Sequence, residues 1–81
     1  MAEIVAIEND IKKFITENIL SQDVAIDSTS VLQDAGMDSY SIVEIILFIE
    51  RKYKLSMPND RLLPANFESI QAIAKTVAEL L

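Results

Sequence analysis

Three stretches of the chain repeat apolar residues at the three- and four-residue steps of an α-helix. In the first, from about Glu3 to Leu20, Ile4, Ile7, Ile11, Phe14, Ile15 and Ile19 recur, with Glu8, Lys12, Lys13 and Glu17 between them. That pattern predicts an amphipathic helix with one buried stripe. The second stretch, from about Ser39 to Tyr53, is rich in β-branched residues and could be read as a strand. Its length, the charged tail Glu50-Arg51-Lys52 and the good N-cap residues Asp38, Ser39 and Ser41 favour a helix. Ser41 and Glu44 also have the spacing of a capping box. Ile42, Ile45, Ile46 and Ile49 are expected on its inner side. The third stretch, from about Ser69 to Leu80, carries Ile70, Ile73, Ala74, Val77 and Leu80 on one face. Asn66 or Ser69 should cap it, with Phe67 packing just ahead.

The connections are uneven. Residues 21 to 38 form a long link, and links beyond about 12–15 residues in compact domains tend to be functional. Val24, Ile26, Val31 and Leu32 are expected to pin it to the helices. Ser30 and Gln33 have capping-box spacing, so one helical turn is expected from Val31, ended by Gly36 in a left-handed conformation. Gly36 is the only glycine in the chain. After the second helix, Met57-Pro58 breaks the chain, and Asp60-Arg61-Leu62-Leu63 is expected to form one short turn that Pro64 stops. The sum is an all-α fold: a small bundle of three main helices plus a short helix, with a long loop between helices 1 and 2. Residues 1–81 are expected to form a single domain.

Composition narrows the chemistry. There is no cysteine and no histidine, so there is no disulfide, no thiolate nucleophile, and neither the commonest general base nor the commonest metal ligand. A net charge of −6 argues against nucleic acid as a partner, because phosphate neutralisation needs Lys and Arg. It suits partners with basic patches. The longest apolar run, Ile45 to Ile49, falls far short of the ~20 residues of a membrane span. The start, Met1-Ala2-Glu3, does not read as a signal peptide, so a cytoplasmic location and no membrane association are expected. The acidic residues miss the calcium-loop pattern, with Val24, Ala25 and Ile26 between Asp23 and Asp27, so no metal site is expected. Without a histidine, Ser39 has no base, and a self-contained hydrolase is improbable. A chain that is acted upon, or that binds, is expected, with no catalytic residue of its own.

The run Gly36-Met37-Asp38-Ser39 followed by an apolar helix puts a serine at a helix N-terminus, where free N–H groups and the helix dipole favour an anionic group. Taken as a dipeptide, Asp38-Ser39 is better explained as an ordinary cap. The wider layout changes this. Gly36-Met37-Asp38-Ser39-Tyr40, then Val43-Glu44, then Glu50 with Tyr53, then Met57-Pro58, then Phe67-Glu68-Ser69-Ile70 resembles, in order and spacing over nearly the whole chain, the acyl/peptidyl carrier family of phosphopantetheine-binding proteins.

The resemblance implies a discrete, free-standing carrier. A phosphopantetheinyl transferase, using magnesium, would move the 4′-phosphopantetheine arm from coenzyme A to Ser39, and the arm's thiol would carry cargo as a thioester. Asp38, with an ordinary pKa of about 3.9, would support the helix start and meet the transferase rather than act as a base. Tyr40, Val43, Glu44 and Leu47 would meet partners, among them an acyl- or aminoacyl-activating ligase and downstream enzymes. The chain is expected to be a monomer. The expected cargo is an acyl intermediate of a fatty-acid or specialised biosynthetic pathway. The alternatives are an aminoacyl or peptidyl carrier of a discrete nonribosomal-type system, or a helical interaction module without any prosthetic group. A cavity between the second and third helices, near Ile46, Leu62 and Ile70, is expected to shelter an apolar cargo. The chain departs from fatty-acid carriers in three places. The second helix ends in Arg51-Lys52-Tyr53-Lys54 where theirs is acidic, Tyr40 replaces the usual Leu or Met, and the stretch from Pro58 to Phe67 is longer.

Overall fold

The computed structural model describes residues 4–19 and 26–81. Helix α1 spans Ile4–Asn18, α2 spans Ser39–Tyr53 and α3 spans Ile70–Leu80. Two single 3-10 turns, Asn59–Arg61 and Pro64–Phe67, lie between α2 and α3. Among the described residues there is no strand, as expected for an all-α bundle. Glu3, Leu20 and Val24 fall outside the described residues.

Each helix forms where its apolar stripe finds a partner. α1 buries Ile7, Ile11 and Ile15, and α3 buries Ile70, Ile73, Ala74 and Val77. These two helices make the closest pair in the bundle. The hydroxyl of Thr76, buried on α3, is satisfied by donating to the Ala72 carbonyl at 3.0 Å. Ser69 caps α3, its Oγ accepting from the Ala72 N–H at 3.1 Å. The other cap candidate, Asn66, instead donates to the Arg61 carbonyl. α2 is less embedded. Only Ile45 and Ile49 are fully buried, while Ile42 and Ile46, expected in the core, are half-buried. α2 is fastened by discrete contacts. The Phe14 and Phe48 rings stack at 4.3 Å, the Tyr53 hydroxyl donates to Asp10 Oδ2 at 2.7 Å, and Glu50 Oε2 accepts from the Met57 N–H at 2.8 Å. Burial, and then the hydrogen bond and charge of Asp10, push the Tyr53 phenol above its usual pKa, so it stays a donor across the accessible pH range.

The long connection is ordered by hydrogen bonds that differ from the expected ones. Ser30 does not cap a turn with Gln33. Its Oγ accepts from the Asp27 N–H and donates to Asp27 Oδ1, which also takes the Thr29 N–H. A carboxylate two or three residues upstream is the stronger acceptor and captures the local donors. The turn over residues 31–36 does form. Gly36, at φ +103°, closes it as a Schellman motif: the Met37 N–H reaches back to the Leu32 carbonyl and the Gly36 N–H to that of Gln33. The apolar pair that accompanies such a closure is Leu32 and Met37, both buried. Ile26 is buried as expected, but Val31 is 48 % exposed. Met37 supplies the second anchor, because the closure turns position 37 inward. Two backbone bonds tie this loop to the start of α3, from Leu32 N–H to the Glu68 carbonyl and from Gln71 N–H to the Ser28 carbonyl, each 2.8 Å. The short turn after Pro58 ends at Arg61, so Leu62 and Leu63 lie outside it, and Pro64 opens a second turn rather than stopping the first. A proline fits the first position of a turn, where its missing N–H is not needed.

At the C-terminus of α2, Lys54 adopts φ 54°, ψ 49°, and the N–H groups of Lys54 and Leu55 close on the Glu50 carbonyl. A side chain with a Cβ is strained in this left-handed region by roughly 1–2 kcal/mol. Lys54→Gly should relieve that strain, less the added entropy of the unfolded chain, and stabilise the fold by about 0.5–1 kcal/mol. A melting temperature raised by several degrees in thermal denaturation is the expected result, and a lowered one contradicts this account of the cap.

Candidate functional site

Ser39 is the first residue of α2, and its side chain is exposed. Its position follows from two local devices placed back to back. Gly36 ends the preceding turn, and Asp38, extended at φ −119°, ψ −174°, starts the helix. Asp38 Oδ1 accepts from the Ser41 N–H at 3.0 Å and from the Ser41 hydroxyl at 3.1 Å. The expected Ser41–Glu44 capping box is therefore not formed; Ser41 serves as donor to Asp38, again because a carboxylate outcompetes a hydroxyl as acceptor. These cap bonds bypass Ser39, which stays exposed at the rim of the adjoining groove.

The Ser41 backbone donor, and then its hydroxyl, hold the Asp38 carboxyl below its ordinary pKa. An ionised Asp38 whose oxygen already accepts two bonds has no role as a base for its neighbour. The helix N-terminus, with its uncompensated N–H groups, favours further negative charge on Ser39, so a phosphodiester fits there.

Beside Ser39 opens a groove of about 820 Å³. One wall is α2 through Ile42 and Ile46, another is the closed turn through Met37, and the far wall is formed by Leu62 and Phe67. This explains why Ile42 and Ile46 are only half-buried: they line an open trough. Ile70, expected beside it, lies fully buried beneath the surface and is not part of the lining. Met37 and Phe67 line the trough although neither was singled out for it; the one available signal was the apolar residue immediately after Gly36, a position that packs inward in a Schellman closure.

On the outer side of α2, Tyr40, Val43 and Leu47 are 72 %, 51 % and 51 % exposed. They follow one another at steps of three and four, so they form a single stripe. Glu44 is half-buried alongside. The structure thus brings Ser39, Tyr40, Val43, Glu44 and Leu47 onto one accessible side of one helix, with Asp38 at its head. Among the described residues no group of acidic side chains could hold a metal ion, and no helix is long and apolar enough to cross a membrane.

Comparison with known proteins gives a consistent result. A family model described as a phosphopantetheine attachment site matches residues 14–77. Aminoacyl carrier protein 2 of Bradyrhizobium diazoefficiens is 30 % identical over 67 residues, covering 83 % of this chain and 73 % of the relative. An acyl carrier protein of Campylobacter lari is 31 % identical over 55 residues, covering 67 % and 71 % respectively. Among solved structures, a chain in the complex of Bradyrhizobium japonicum glycine:[carrier protein] ligase with its cognate carrier protein and an analogue of glycyl adenylate superposes with TM-score 0.71 at 25 % identity. That superposition covers 94 % of this chain and 96 % of the other.

The cap at Asp38 gives a pH signature. Its folded-state pKa lies below the ordinary 3.8, so its contribution to stability is complete above that value and is lost as pH falls through the folded-state pKa. Asp38→Ala should be less stable than the parent at pH 7, and Asp38→Asn should retain part of the cap. The gap between parent and Asp38→Ala should narrow only below about pH 3.8. Urea titrations at stepped pH measure this, and a gap that stays constant down to pH 2 would mean the carboxylate is not the capping group.

Proposed function

This chain belongs to the phosphopantetheine-attachment family, and from that premise we propose that Ser39 bears the arm and that the chain carries acyl intermediates as thioesters between enzymes. The chain is a carrier, acted upon rather than catalysing. The observation that supports the site is the exposed Ser39 at the first position of α2, left out of the cap bonds between Asp38 and Ser41. In the transfer the Ser39 oxygen would bond the pantetheine-bearing phosphorus of coenzyme A as the pyrophosphate bond breaks and the nucleotide half leaves with its phosphates. The serine proton would not pass to Asp38, which is engaged with Ser41, nor to a histidine, which the chain lacks. The bound group supplies a thiol, the reactive sulfur that a chain without cysteine does not encode.

Acyl cargo is favoured by the trough beside Ser39. Its walls of Met37, Ile42, Ile46, Leu62 and Phe67 would withdraw an alkyl chain from water at about 25 cal/mol per Å² of apolar surface. A second reading has its own support. The aminoacyl carrier relative covers more of this chain, 83 % against 67 %, and the superposed structure is a complex with a glycine ligase. An aminoacyl-activating ligase is therefore a candidate partner beside an acyl-activating one. Tyr40, Val43 and Leu47 form the apolar part of the surface such partners would meet, and Glu44 lies at its edge.

Incubation with coenzyme A, magnesium and a broad-specificity transferase should add one phosphopantetheine to the intact mass, and Ser39→Ala should abolish the addition. A labelled Ser39→Ala protein would move the site elsewhere. When the arm is charged with a medium-chain acyl group, amides of Ile46 and Leu62 should gain protection from hydrogen exchange, whereas glycyl cargo should leave them unchanged. Unchanged exchange with both cargoes removes the support for the acyl reading.

A further inference from the structure

The exposed charges along α2 are unevenly placed; Glu50, beside Arg51, is half-buried and takes the Met57 N–H. At the Ser39 end stand Asp34, Asp38 and Glu44, with Glu68 at the mouth of the trough. The stripe Tyr40, Val43, Leu47 continues, four residues on, to Arg51, and Lys54 follows at the left-handed cap one turn later. Both cations are exposed. The two ion pairs among the described residues join Lys52 to Asp10 at 3.9 Å and Arg61 to Glu79 at 2.9 Å, so neither involves Arg51 or Lys54. Lys52 and Lys13 face each other across the shallow furrow between α1 and α2, where Asp10 and Glu17 balance them, so the positive charge of this end rests on Arg51 and Lys54. Of the chain's seven cations, five (Lys12, Lys13, Arg51, Lys52 and Lys54) fall on α1 or at the end of α2; Arg61 is paired and Lys75 lies on α3.

Distance decides whether a partner can sense this. Twelve residues separate Ser39 from Arg51, about 18 Å at 1.5 Å per residue. That is roughly twice the ~8 Å screening length at physiological salt. A surface pressed against Arg51 therefore senses the charges close by, the exposed Arg51 and Lys54 with Glu50 engaged by the Met57 N–H, more than the net −6. Two exposed cations beside an apolar stripe, with carboxylates at the other end of the helix, suit neither a nucleic-acid backbone nor an anionic membrane, both of which need an extended basic face. They suit a protein surface with an apolar socket and carboxylates at one edge.

Resting on the carrier reading above, we propose that the enzyme loading the arm docks along α2 with carboxylates facing Arg51 and Lys54. Opposite charges at the two ends fix the direction in which that enzyme lies on the helix, so its reactive centre falls over Ser39 and not over the far end. Reversing the helix on the partner would set Asp38 and Glu44 against those carboxylates.

The test uses the full-length protein converted to the arm-bearing form with coenzyme A and a broad-specificity transferase, followed by a panel of acyl- and aminoacyl-activating ligases from the same genome. Parent, Arg51→Glu/Lys54→Glu, Arg51→Gln/Lys54→Gln and the control Lys75→Glu are compared for loading by intact mass, after thermal melts confirm that each is folded. With the ligase that loads the parent, the double Glu variant should raise KM for the carrier about tenfold with kcat unchanged. The double Gln variant should fall between, Lys75→Glu should match the parent, and raising salt should shrink the differences. Exchanging a ligase carboxylate for lysine should restore loading of the double Glu variant. Loading of the double Glu variant at the parent's KM, or failure of every ligase in the panel to load an arm-bearing parent, overturns the proposal and leaves the carrier reading intact. A parent that accepts no arm at all overturns the carrier reading itself.

Discussion

The constraint on which the site depends is a passage from the end of one turn to the start of a helix completed within three residues. Gly36 takes a positive φ that closes one turn, and Asp38 takes the extended conformation that begins the next helix. Between them, Met37 is drawn into the core against the loop that Leu32 anchors. With 37 inside and 38 occupied as cap, Ser39 has one place left, the first exposed position of α2. A residue with a Cβ at 36 would meet no atom within 4 Å, so the requirement there is conformational and not steric. The same passage builds one wall of the trough, so the accessible hydroxyl and the apolar space beside it arise from a single local event.

The three helices and their core were legible because each element's local signals agreed with its packing. The span of α2 follows from Asp38 at one end and the charged tail at the other, despite its β-branched composition. Errors fell where two local options competed. Ser30 and Ser41 each sat in a plausible capping box, and each gave its hydroxyl to an aspartate instead. The pattern did not reveal which of two oxygens would win, but the chemistry does: an ionised carboxylate with several lone-pair sites is the stronger acceptor. Val31 looked like an anchor by type, yet the geometry of the Gly36 closure assigns burial to positions 32 and 37. The left-handed Lys54 carried no signal, since glycine or asparagine is the usual residue there.

Packing is unequal around the bundle. α1 and α3 interlock over most of their lengths, whereas α2 contributes two fully buried residues and relies on a ring stack, one phenol–carboxylate bond and the Glu50–Met57 link. A helix held by few buried contacts opens at lower free energy than one that carries the core. Ile42 and Ile46 are already half-exposed to the trough, so the trough is walled by the less embedded helix. The bonds at Asp38 and the turn at Gly36 stay local to the head of the helix. The presentation of Ser39 is therefore set separately from the packing that shapes the trough.

Net charge is a poor guide to what such a molecule meets. The chain's excess of carboxylates is real, yet it is spread over a surface whose separate regions lie farther apart than ions in solution allow them to sense one another. Near Ser39 stand the carboxylates of Asp38 and Glu44. At the other end of the same helix the exposed side chains outside the ion pairs of the described residues are the cations Arg51 and Lys54. An apolar stripe alone gives a helix little direction. Opposite poles on that stripe give it a direction, so the arrangement of seven cations along the fold tells more about its partners than their number does.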